Sequence, residues 1–498
     1  MKSLSSIICS LLLFSPLFST GQFEQGECGT GPAPEHIRSF IQSVDYTSPR
    51  PEDYPVINIP VTIHIVRSSN GGGGFFEKNA FLTICDLNNR MASAGMFFYL
   101  AGPVRFIDDD TYYNAPDFSP LFTMIDVENV PQTMNIYYTN LGQLGLCGFA
   151  FYPNSGPGGP QNDGAVVMSF ACSQPTGTTL THEVGHFFAL PHTFDQTSSN
   201  PISVNAAERV TRLVNEVAPR LGANCATEGD GFCDTPADFI GSRWSCPTGQ
   251  VQFDINGDRF RPDSSFYMSY SNDVCMSRFS TQQILAMRAT LANLNAPRGY
   301  LLTTPMPAFS AISQAPAQIS PAINDTVPGN QVVFRWNTIP GATAYQIRIL
   351  LFNFAVIDTI TTDTFFVSNT RAIRQLRAHN WEVRAINGAN LCTPYGTRNT
   401  FFASSYINTT SVRESKWLEV KVYPNPTRAG EILNLVLPEN TSITSLSIRD
   451  IQGKLVWEQT SGLDNQRVQL PADLKSGLYL LEAKSTGLKS ITRLHILP

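Results

Sequence analysis

The sequence predicts a multidomain protein in which an α+β domain is followed by two β-sandwich domains. Its 498 residues exceed what one core usually holds, since large chains split into domains of about 100 to 200 residues. Strand and helix patterns mix in the first part of the chain, whereas short alternating runs fill the part beyond residue 330. The residues between these parts are rich in Pro, Ala, Ser and Thr, which is typical of a linker.

The α+β domain is predicted at residues 55–302. Apolar residues that alternate with period two indicate a strand at residues 61–65, and residues 134–138 and 165–170 are predicted as further strands. Apolar residues recur at helical spacing along residues 80–91. Near the end of the domain Ser280 and Gln283 form a capping box, which predicts the start of another helix.

A linker at residues 303–329 is predicted to lead into the first sandwich at residues 330–405. Three runs in that stretch alternate with polar neighbours and are separated by turn residues, as in Val332, Phe334 and Trp336. The pattern resembles a fibronectin type III domain.

The second sandwich is predicted at residues 418–498. Three motifs in it resemble the type A C-terminal sorting domain of the type IX secretion system: VYPNP at 422–426, DIQGK at 450–454 and SGLY at 476–479. This resemblance implies export across an outer membrane with the type IX machinery as a partner.

The N-terminal segment has the layout of a signal peptide. Lys2 precedes an apolar run at residues 7–18, and small residues follow up to Gly21. We therefore expect a signal peptide at residues 1–21 and a pro-segment or N-terminal extension at residues 22–54. No transmembrane anchor is expected, because the run is shorter than the roughly 20 apolar residues that a spanning helix needs.

Charge and cysteine content fit an exported protein. The formal net charge is −6 and no Lys/Arg-rich run occurs, so a nucleic-acid partner is not expected. Loss of Cys9 with the signal peptide leaves nine of the ten cysteines, which suits an oxidising compartment. The odd number requires one thiol without a partner.

A metal-binding pattern lies at residues 182–192. His182 and His186 are four residues apart, which places both imidazoles on one face of a helix with Glu183 beside them. His192 can turn back after the helix ends and supply a third ligand, which leaves a fourth position for water. The pattern predicts a zinc site, with Glu183 accepting the proton of the metal-bound water that attacks a peptide bond.

The same segment resembles the metzincin signature HExxHxxGxxH, in which a methionine turn lies below the metal. Met268, Tyr270 and the residues that follow them resemble this turn in the pappalysin family of metzincins. The resemblance implies that Met268 forms the floor of the metal site and that Tyr270 stabilises the oxyanion. It extends from about Pro60 to Leu291 and implies a metzincin-like catalytic domain.

Two further expectations depend on this resemblance. If the order of pairing in the family is kept, Cys225 pairs with Cys246 and Cys233 pairs with Cys275. The chain also departs from the signature, because Ala189 stands where the family has glycine. We expect Ala189 to adopt a left-handed conformation at a cost of about 1 to 2 kcal/mol, which leaves the site functional but slightly strained. The alternative is a shifted or weaker third ligand.

Calcium is a second cation that the resemblance implies. Loop residues with side-chain oxygen ligands are candidates for this site. These candidates are Asp230, Asp234, Asp254, Asn256 and Asp258.

Cys28 precedes the catalytic pattern in a segment similar to the pro-peptides of the family. One hypothesis is a cysteine switch, in which the Cys28 thiolate fills the fourth zinc position until the segment is removed. The other is an ordinary disulfide to Cys85, Cys147 or Cys172.

Together these patterns predict a secreted zinc-dependent endopeptidase that acts on extracellular proteins or peptides. It is expected outside the cell or attached to the bacterial outer surface. The alternative is a surface adhesion or binding protein that keeps an inactive metzincin scaffold. The sequence leaves open which substrate residue is preferred after the cleaved bond. Val274 favours an apolar pocket, whereas Asp273 favours a pocket for a basic residue.

Overall fold

A computed structural model describes most of the chain. The described residues are 27–47, 55–157, 163–195, 225–238, 252–253, 259–303, 305–368, 372–405, 420–437, 442–460, 467–485 and 488–497. The predicted signal peptide lies outside them, as do Cys246 and the calcium candidates Asp254, Asn256 and Asp258. The chain divides into two compact units, Met1–Ser405 and Tyr406–Pro498. None of the described helices is long and apolar enough to cross a membrane.

The first unit begins with a seven-stranded sheet. Its strands are β1 (Glu27–Cys28), β2 (Ile57–Arg67), β3 (Met96–Leu100), β4 (Arg105–Asp108), β5 (Met134–Thr139), β6 (Leu146–Ala150) and β7 (Val166–Ser169). Their order is β1-β6-β7-β5-β2-β3, and β4 also pairs with β2. All pairs are parallel except β6 with β7. Nearly every residue of the central strands β2, β5 and β7 is buried, as expected for strands covered on both faces.

Helices and one further strand pair complete the α+β part. The helices are α1 (Glu35–Ser43), α2 (Glu77–Met91), α3 (Asp110–Tyr113), α4 (Phe118–Glu128), α5 (Thr179–Phe187) and α6 (Thr281–Ala289). The two short strands β8 (Gln252–Phe253) and β9 (Arg259–Phe260) pair with each other. Helix α5 packs against β6, β7 and α2. Helix α6 starts at the predicted capping box, because the Ser280 and Gln283 side chains each accept from the other residue's backbone N–H.

A β-sandwich completes the first unit. One sheet has the order β10-β12-β15 and the other β11-β17-β16-β13-β14. Their strands are β10 (Gln318–Ser320), β11 (Thr326–Pro328), β12 (Val332–Trp336), β13 (Ala344–Leu351), β14 (Phe354–Thr361), β15 (Phe365–Ser368), β16 (Arg377–Ile386) and β17 (Asn399–Ser404). The expected linker at 303–329 is thus wrong where β10 and β11 lie. Strands of three residues are too short for alternation to reveal them.

The α+β part and this sandwich are joined covalently and by hydrogen bonds. Cys85 on α2 forms a disulfide with Cys392, which lies 307 positions further along the chain. The backbone N–H of Leu100 donates to the carbonyl of Gly388 over 2.9 Å. The two parts of the first unit therefore form one compact body.

The second unit is another sandwich. Its strands are β18 (Lys421–Tyr423), β19 (Thr427–Arg428), β20 (Ile432–Val436), β21 (Ser445–Asp450), β22 (Leu455–Gln459), β23 (Arg467–Gln469), β24 (Gly477–Ser485) and β25 (Leu488–Leu497). They form sheets of order β18-β20-β23 and β19-β25-β24-β21-β22 around a separate apolar core. The predicted fold class, an α+β domain followed by two β-sandwiches, is confirmed.

Candidate active site

Three histidines meet at the end of α5. His182 and His186 lie on the helix, His192 lies in the segment after it, and all three are at most 5% exposed. Their Nε2 atoms form a nearly equilateral triangle with sides of 3.1, 3.1 and 3.2 Å. The structure therefore brings the three predicted metal ligands together.

Backbone carbonyls orient two of the rings. The Nδ1 of His182 lies 2.6 Å from the carbonyl oxygen of Tyr267, and the Nδ1 of His186 lies 2.7 Å from that of Leu190. A carbonyl only accepts, so each Nδ1 carries the proton and each Nε2 presents its lone pair to the triangle. Burial lowers the pKa of His182 to about 4. It also lowers the pKa values of His186 and His192 well below the usual range, so the rings are neutral, as metal ligands must be.

Ala189 makes the turn that delivers His192. Its φ is +71°, in the left-handed region, as predicted from its place in the signature. The N–H of Leu190 then donates to the carbonyl of Gly185 over 3.0 Å, which is the bond pattern that ends a helix with a left-handed residue. The departure from glycine is accommodated without loss of the turn.

The predicted methionine turn lies directly under α5. A Cβ on Gly185 would overlap the Sδ of Met268, so only glycine lets this fully buried methionine pack against the helix. The carbonyl of Met268 accepts from the N–H of Thr193, one residue after His192. The turn thus supports both the helix and the segment that carries the third histidine.

Asp238 strengthens this connection, although no pattern in the sequence indicates it. The Asp238 carboxylate accepts hydrogen bonds from the hydroxyls of Thr193 at 2.6 Å and Ser269 at 2.9 Å. Asp238 is only 4% exposed. No local motif marks Asp238, because its partners come from two distant segments of the chain.

Glu183 is completely buried beside the histidines. Burial raises the pKa of its carboxyl to about 8, although hydrogen bonds from Cys28 and Thr30 lower it in part. Both bonds reach Oε2, at 3.4 Å from the Cys28 Sγ and 3.3 Å from the Thr30 hydroxyl. Its Oε1 has no hydrogen-bond partner among the described residues. The residue is therefore an acid or base whose proton affinity is set mainly by burial.

The N-terminal segment occupies this site. Strand β1, which contains Cys28, pairs in parallel with β6. The ligand atoms of Cys28 and the three histidines all lie within 4.8 Å of one another. The hydroxyl of Tyr270 donates to the carbonyl oxygen of Cys28 over 3.3 Å, so Tyr270 also faces the segment.

A second contact holds the same segment further along. Arg38 on α1 forms an ion pair with Asp195, three residues after His192, and also donates to the carbonyl of Gly229. The backbone N–H of Ala33 donates to the other oxygen of Asp195. Burial raises the pKa of Asp195 to about 6, while Arg38 opposes this shift.

The disulfides differ from the predicted pairing. Cys225 pairs with Cys233, so the predicted pairs Cys225 with Cys246 and Cys233 with Cys275 are both wrong. The Cα atoms of Cys225 and Cys233 lie 5.1 Å apart, within the usual disulfide range, because the chain turns back between them. Cys275 is also disulfide-bonded.

Cys28 is the one free cysteine among the described residues. The suggested disulfide from Cys28 to Cys85, Cys147 or Cys172 is wrong, since Cys147 pairs with Cys172 and Cys85 with Cys392.

Two of the calcium candidates lie in the described residues and serve local structure. Asp230 accepts from the N–H of Phe232 and the hydroxyl of Thr235. Asp234 accepts from the N–H of Gln282 with one oxygen, while its other oxygen is buried with no hydrogen-bond partner in the described part of the chain. Calcium binding here stays a prediction.

A cleft opens beside the histidines. Its lining is Cys28, Cys147, Thr178, Thr179, His182, Glu183, Ser269, Tyr270 and Met276. Val274 is not part of this lining and is 89% exposed. Asp273 accepts from both the N–H and the hydroxyl of Thr178, the residue that precedes α5. Asp273 thus anchors the start of the helix to the loop after the methionine turn.

Comparisons with known proteins identify two parts of the chain. Residues 127–292 match the model of the pregnancy-associated plasma protein-A peptidase family, and residues 421–497 match that of the secretion system C-terminal sorting domain. An extracellular metalloprotease of Arthroderma gypseum is 26% identical over 277 residues, which are 53% of this chain and 83% of that protein. One of Verticillium alfalfae is 27% identical, over 49% of this chain and 80% of its own length.

Among solved structures, mature mirolysin of Tannerella forsythia in complex with a cleaved peptide is 20% identical. The matched region covers 51% of this chain and 100% of the mirolysin chain, with a TM-score of 0.36.

The two family matches and the extracellular metalloprotease relatives confirm the resemblance to pappalysin-type peptidases and to type IX sorting domains. The chain carries a metalloprotease-type domain and, through its sorting domain, is secreted or displayed at the outer surface.

Proposed function

Because the chain carries a pappalysin-type peptidase domain, we propose that it is a zinc-dependent endopeptidase that hydrolyses peptide bonds of extracellular proteins. The observation that supports this proposal is the triangle of Nε2 atoms of His182, His186 and His192 with Glu183 beside it. Two nitrogens bound at 2.0–2.1 Å to one tetrahedral zinc ion lie about 3.3 Å apart. The observed spacing of 3.1 to 3.2 Å fits this requirement, and three neutral imidazoles suit Zn²⁺.

The proposed chemistry divides between the ion and the chain. When bound, Zn²⁺ lowers the pKa of a water molecule and polarises the substrate carbonyl. Glu183 accepts a proton from the attacking water and passes it to the leaving amine. Its burial favours this role, because a carboxylate shielded from solvent binds a proton more tightly than an exposed one.

Tyr270 is proposed to stabilise the negative charge that develops on the substrate carbonyl oxygen. Its hydroxyl already donates to one carbonyl oxygen, that of Cys28, at the edge of the same cleft. A substrate carbonyl in that position would receive the same hydrogen bond, which strengthens as the oxygen becomes negative.

The test of the function is proteolysis by the purified chain after removal of the pro-segment. We expect cleavage of casein, abolished by a zinc chelator, restored by Zn²⁺, and reduced at least about 100-fold by Glu183→Ala. Met287→Ala, on α6 away from the site, is the control for a general loss of packing. Binding to proteins without cleavage by a zinc-loaded chain would contradict the proposal and favour the adhesion alternative.

We also propose that Cys28 keeps the enzyme latent by acting as a ligand in place of water. The proximity of its Sγ to the three histidine nitrogens supports this role. Burial and Glu183 raise the pKa of the free thiol, whereas a bound divalent cation favours the thiolate.

Replacement of the thiol tests the latency. The uncleaved Cys28→Ser chain should hydrolyse a short peptide faster than the uncleaved wild-type chain, since serine is a weaker zinc ligand. Thr30→Val, which removes only the hydrogen bonds to Glu183 and Ala150, is the matched control in the same segment. Equal latency in the Cys28→Ser and wild-type chains would contradict the role of the thiol.

A further inference from the structure

Arg298 is a completely buried cation behind the active-site helix. It lies beyond residues 127–292, the span that matches the peptidase family. Its guanidinium lies 3.6 Å from the centroid of the Phe187 ring. A buried arginine without partners would be very unfavourable, so the partners of Arg298 show which segments it holds together.

Three segments converge on the guanidinium. Its Nε donates to the carbonyl of Phe187 at 2.9 Å, and one terminal nitrogen donates to the carbonyl of Phe151 at 2.7 Å. The other terminal nitrogen donates to the carbonyl and the carboxylate of Asp163, at 2.6 and 2.8 Å. Asp163 is itself buried and accepts from the N–H groups of Asn154 and Gly156. The pair therefore connects the end of α5 to the loop after β6 and to the segment that precedes β7.

Two of these contacts involve residues next to His186 or next to a residue that packs against it. Phe187 follows it in the chain and is the last residue of α5, where helix carbonyls lack partners within the helix. Phe151 precedes Tyr152, whose ring packs edge-on against the His186 ring with centroids 5.5 Å apart. A cation at this helix end also interacts favourably with the helix dipole. Movement of either carbonyl would shift the ring of His186.

We infer that Arg298, held by Asp163, is a positioning residue for His186. It fixes the end of α5 so that the His186 Nε2 stays within the triangle. The inference rests on the proposed function, because the exact position of His186 matters only if His186 binds the metal. It goes further by assigning this role to residues that do not contact the metal.

The experiment compares Arg298 with Arg288, since both donate hydrogen bonds to backbone carbonyls of the first unit. Arg298→Lys keeps the charge but cannot reach all three segments. The matched control is Arg288→Lys, since Arg288 donates to the carbonyls of Ala94, Gly95 and Pro55, away from α5. For each full-length chain, zinc affinity is measured by competition with a chromogenic chelator, and the visible spectrum of the Co²⁺ form reports the ligand geometry.

We expect Arg298→Lys to weaken zinc binding about 10- to 100-fold, the usual effect of losing an outer-shell partner, and to change the Co²⁺ spectrum. Arg288→Lys should leave both the zinc affinity and the Co²⁺ spectrum unchanged, because the hydrogen bonds of Arg288 lie away from α5. If Arg298→Lys does not fold, Asp163→Asn is tested instead, because it keeps the arginine and the shape of its partner. It should change the zinc affinity and the Co²⁺ spectrum in the same direction. Unchanged zinc affinity and spectrum in a folded variant would overturn the inference. Failure of the wild-type chain to bind zinc would instead overturn the proposed function.

Discussion

Two buried glutamates of the first unit have opposite surroundings. Glu183 in the active site is fully buried, forms no ion pair with a described residue, and leaves Oε1 without a hydrogen bond from any of them. Glu382 in the sandwich is 4% exposed and accepts from both Arg348 and Arg398. The register of β13 and β16 places Arg348 directly opposite Glu382. The sandwich therefore compensates its buried charge with two arginines, whereas the candidate active site holds a buried carboxyl that has no such partner among the described residues, as expected of a group with a perturbed pKa.

The largest expected effect comes from Glu183→Gln. The folded-state pKa of about 8 exceeds the ordinary value of 4.5, so this acid destabilises the metal-free protein increasingly as the pH rises from 4.5 to 8. An amide at this position does not titrate. In the presence of chelator the variant should therefore be more stable than wild type at pH 8, by roughly 2 to 4 kcal/mol, with little difference below pH 4.5.

Denaturant unfolding at several pH values measures this difference. Activity should move the other way, with a loss of at least about 100-fold. A variant less stable than wild type at pH 8 would show that Glu183 has a compensating partner after all.

A smaller and opposite effect is expected for Glu382→Gln. It leaves two arginines without their carboxylate, but both are 32% to 40% exposed, so water replaces part of the lost interaction. We expect a loss of about 1 to 3 kcal/mol in the free energy of unfolding. The kcat/KM of the mature enzyme should stay unchanged, and a large fall in kcat/KM would remove the distinction between the two regions.

The smallest effect concerns the strained turn of the active site. Ala189→Gly relieves the left-handed alanine and should stabilise the protein by about 1 kcal/mol, since the relief slightly exceeds the entropy that glycine adds to the unfolded chain. Ala286→Gly, in the interior of α6, is the control and should destabilise it by about 1 kcal/mol. Thermal unfolding of both variants checks the sign, and a destabilised Ala189→Gly would show that the turn carries no strain.

Much of the active site could be predicted because its information is local. The spacing of His182 and His186 on one helix, the capping box at Ser280 and the left-handed turn at Ala189 each depend on a few neighbouring residues. The alternating runs likewise predicted several strands of the sandwiches, such as β12, β13 and β16, since side chains on a strand alternate between the core and the solvent.

The disulfide pairing and the supporting contacts could not be predicted in the same way. Cys85 and Cys392 are 307 positions apart, and the partners of Asp238 come from segments 31 and 45 positions away. Short strands such as β10 are paired by their neighbours and carry no periodicity of their own.

The sequence by itself therefore determined which residues are candidates for the chemistry. The spacing of the three histidines and Glu183 along the chain indicated the metal site, and the resemblance to pappalysins indicated the methionine turn. Only the tertiary structure decided what surrounds them: the N-terminal segment over the cleft, Asp238 between two segments, and Arg298 behind α5. Buried polar groups must find partners wherever the fold brings them, and those partners are set by the packing of distant segments.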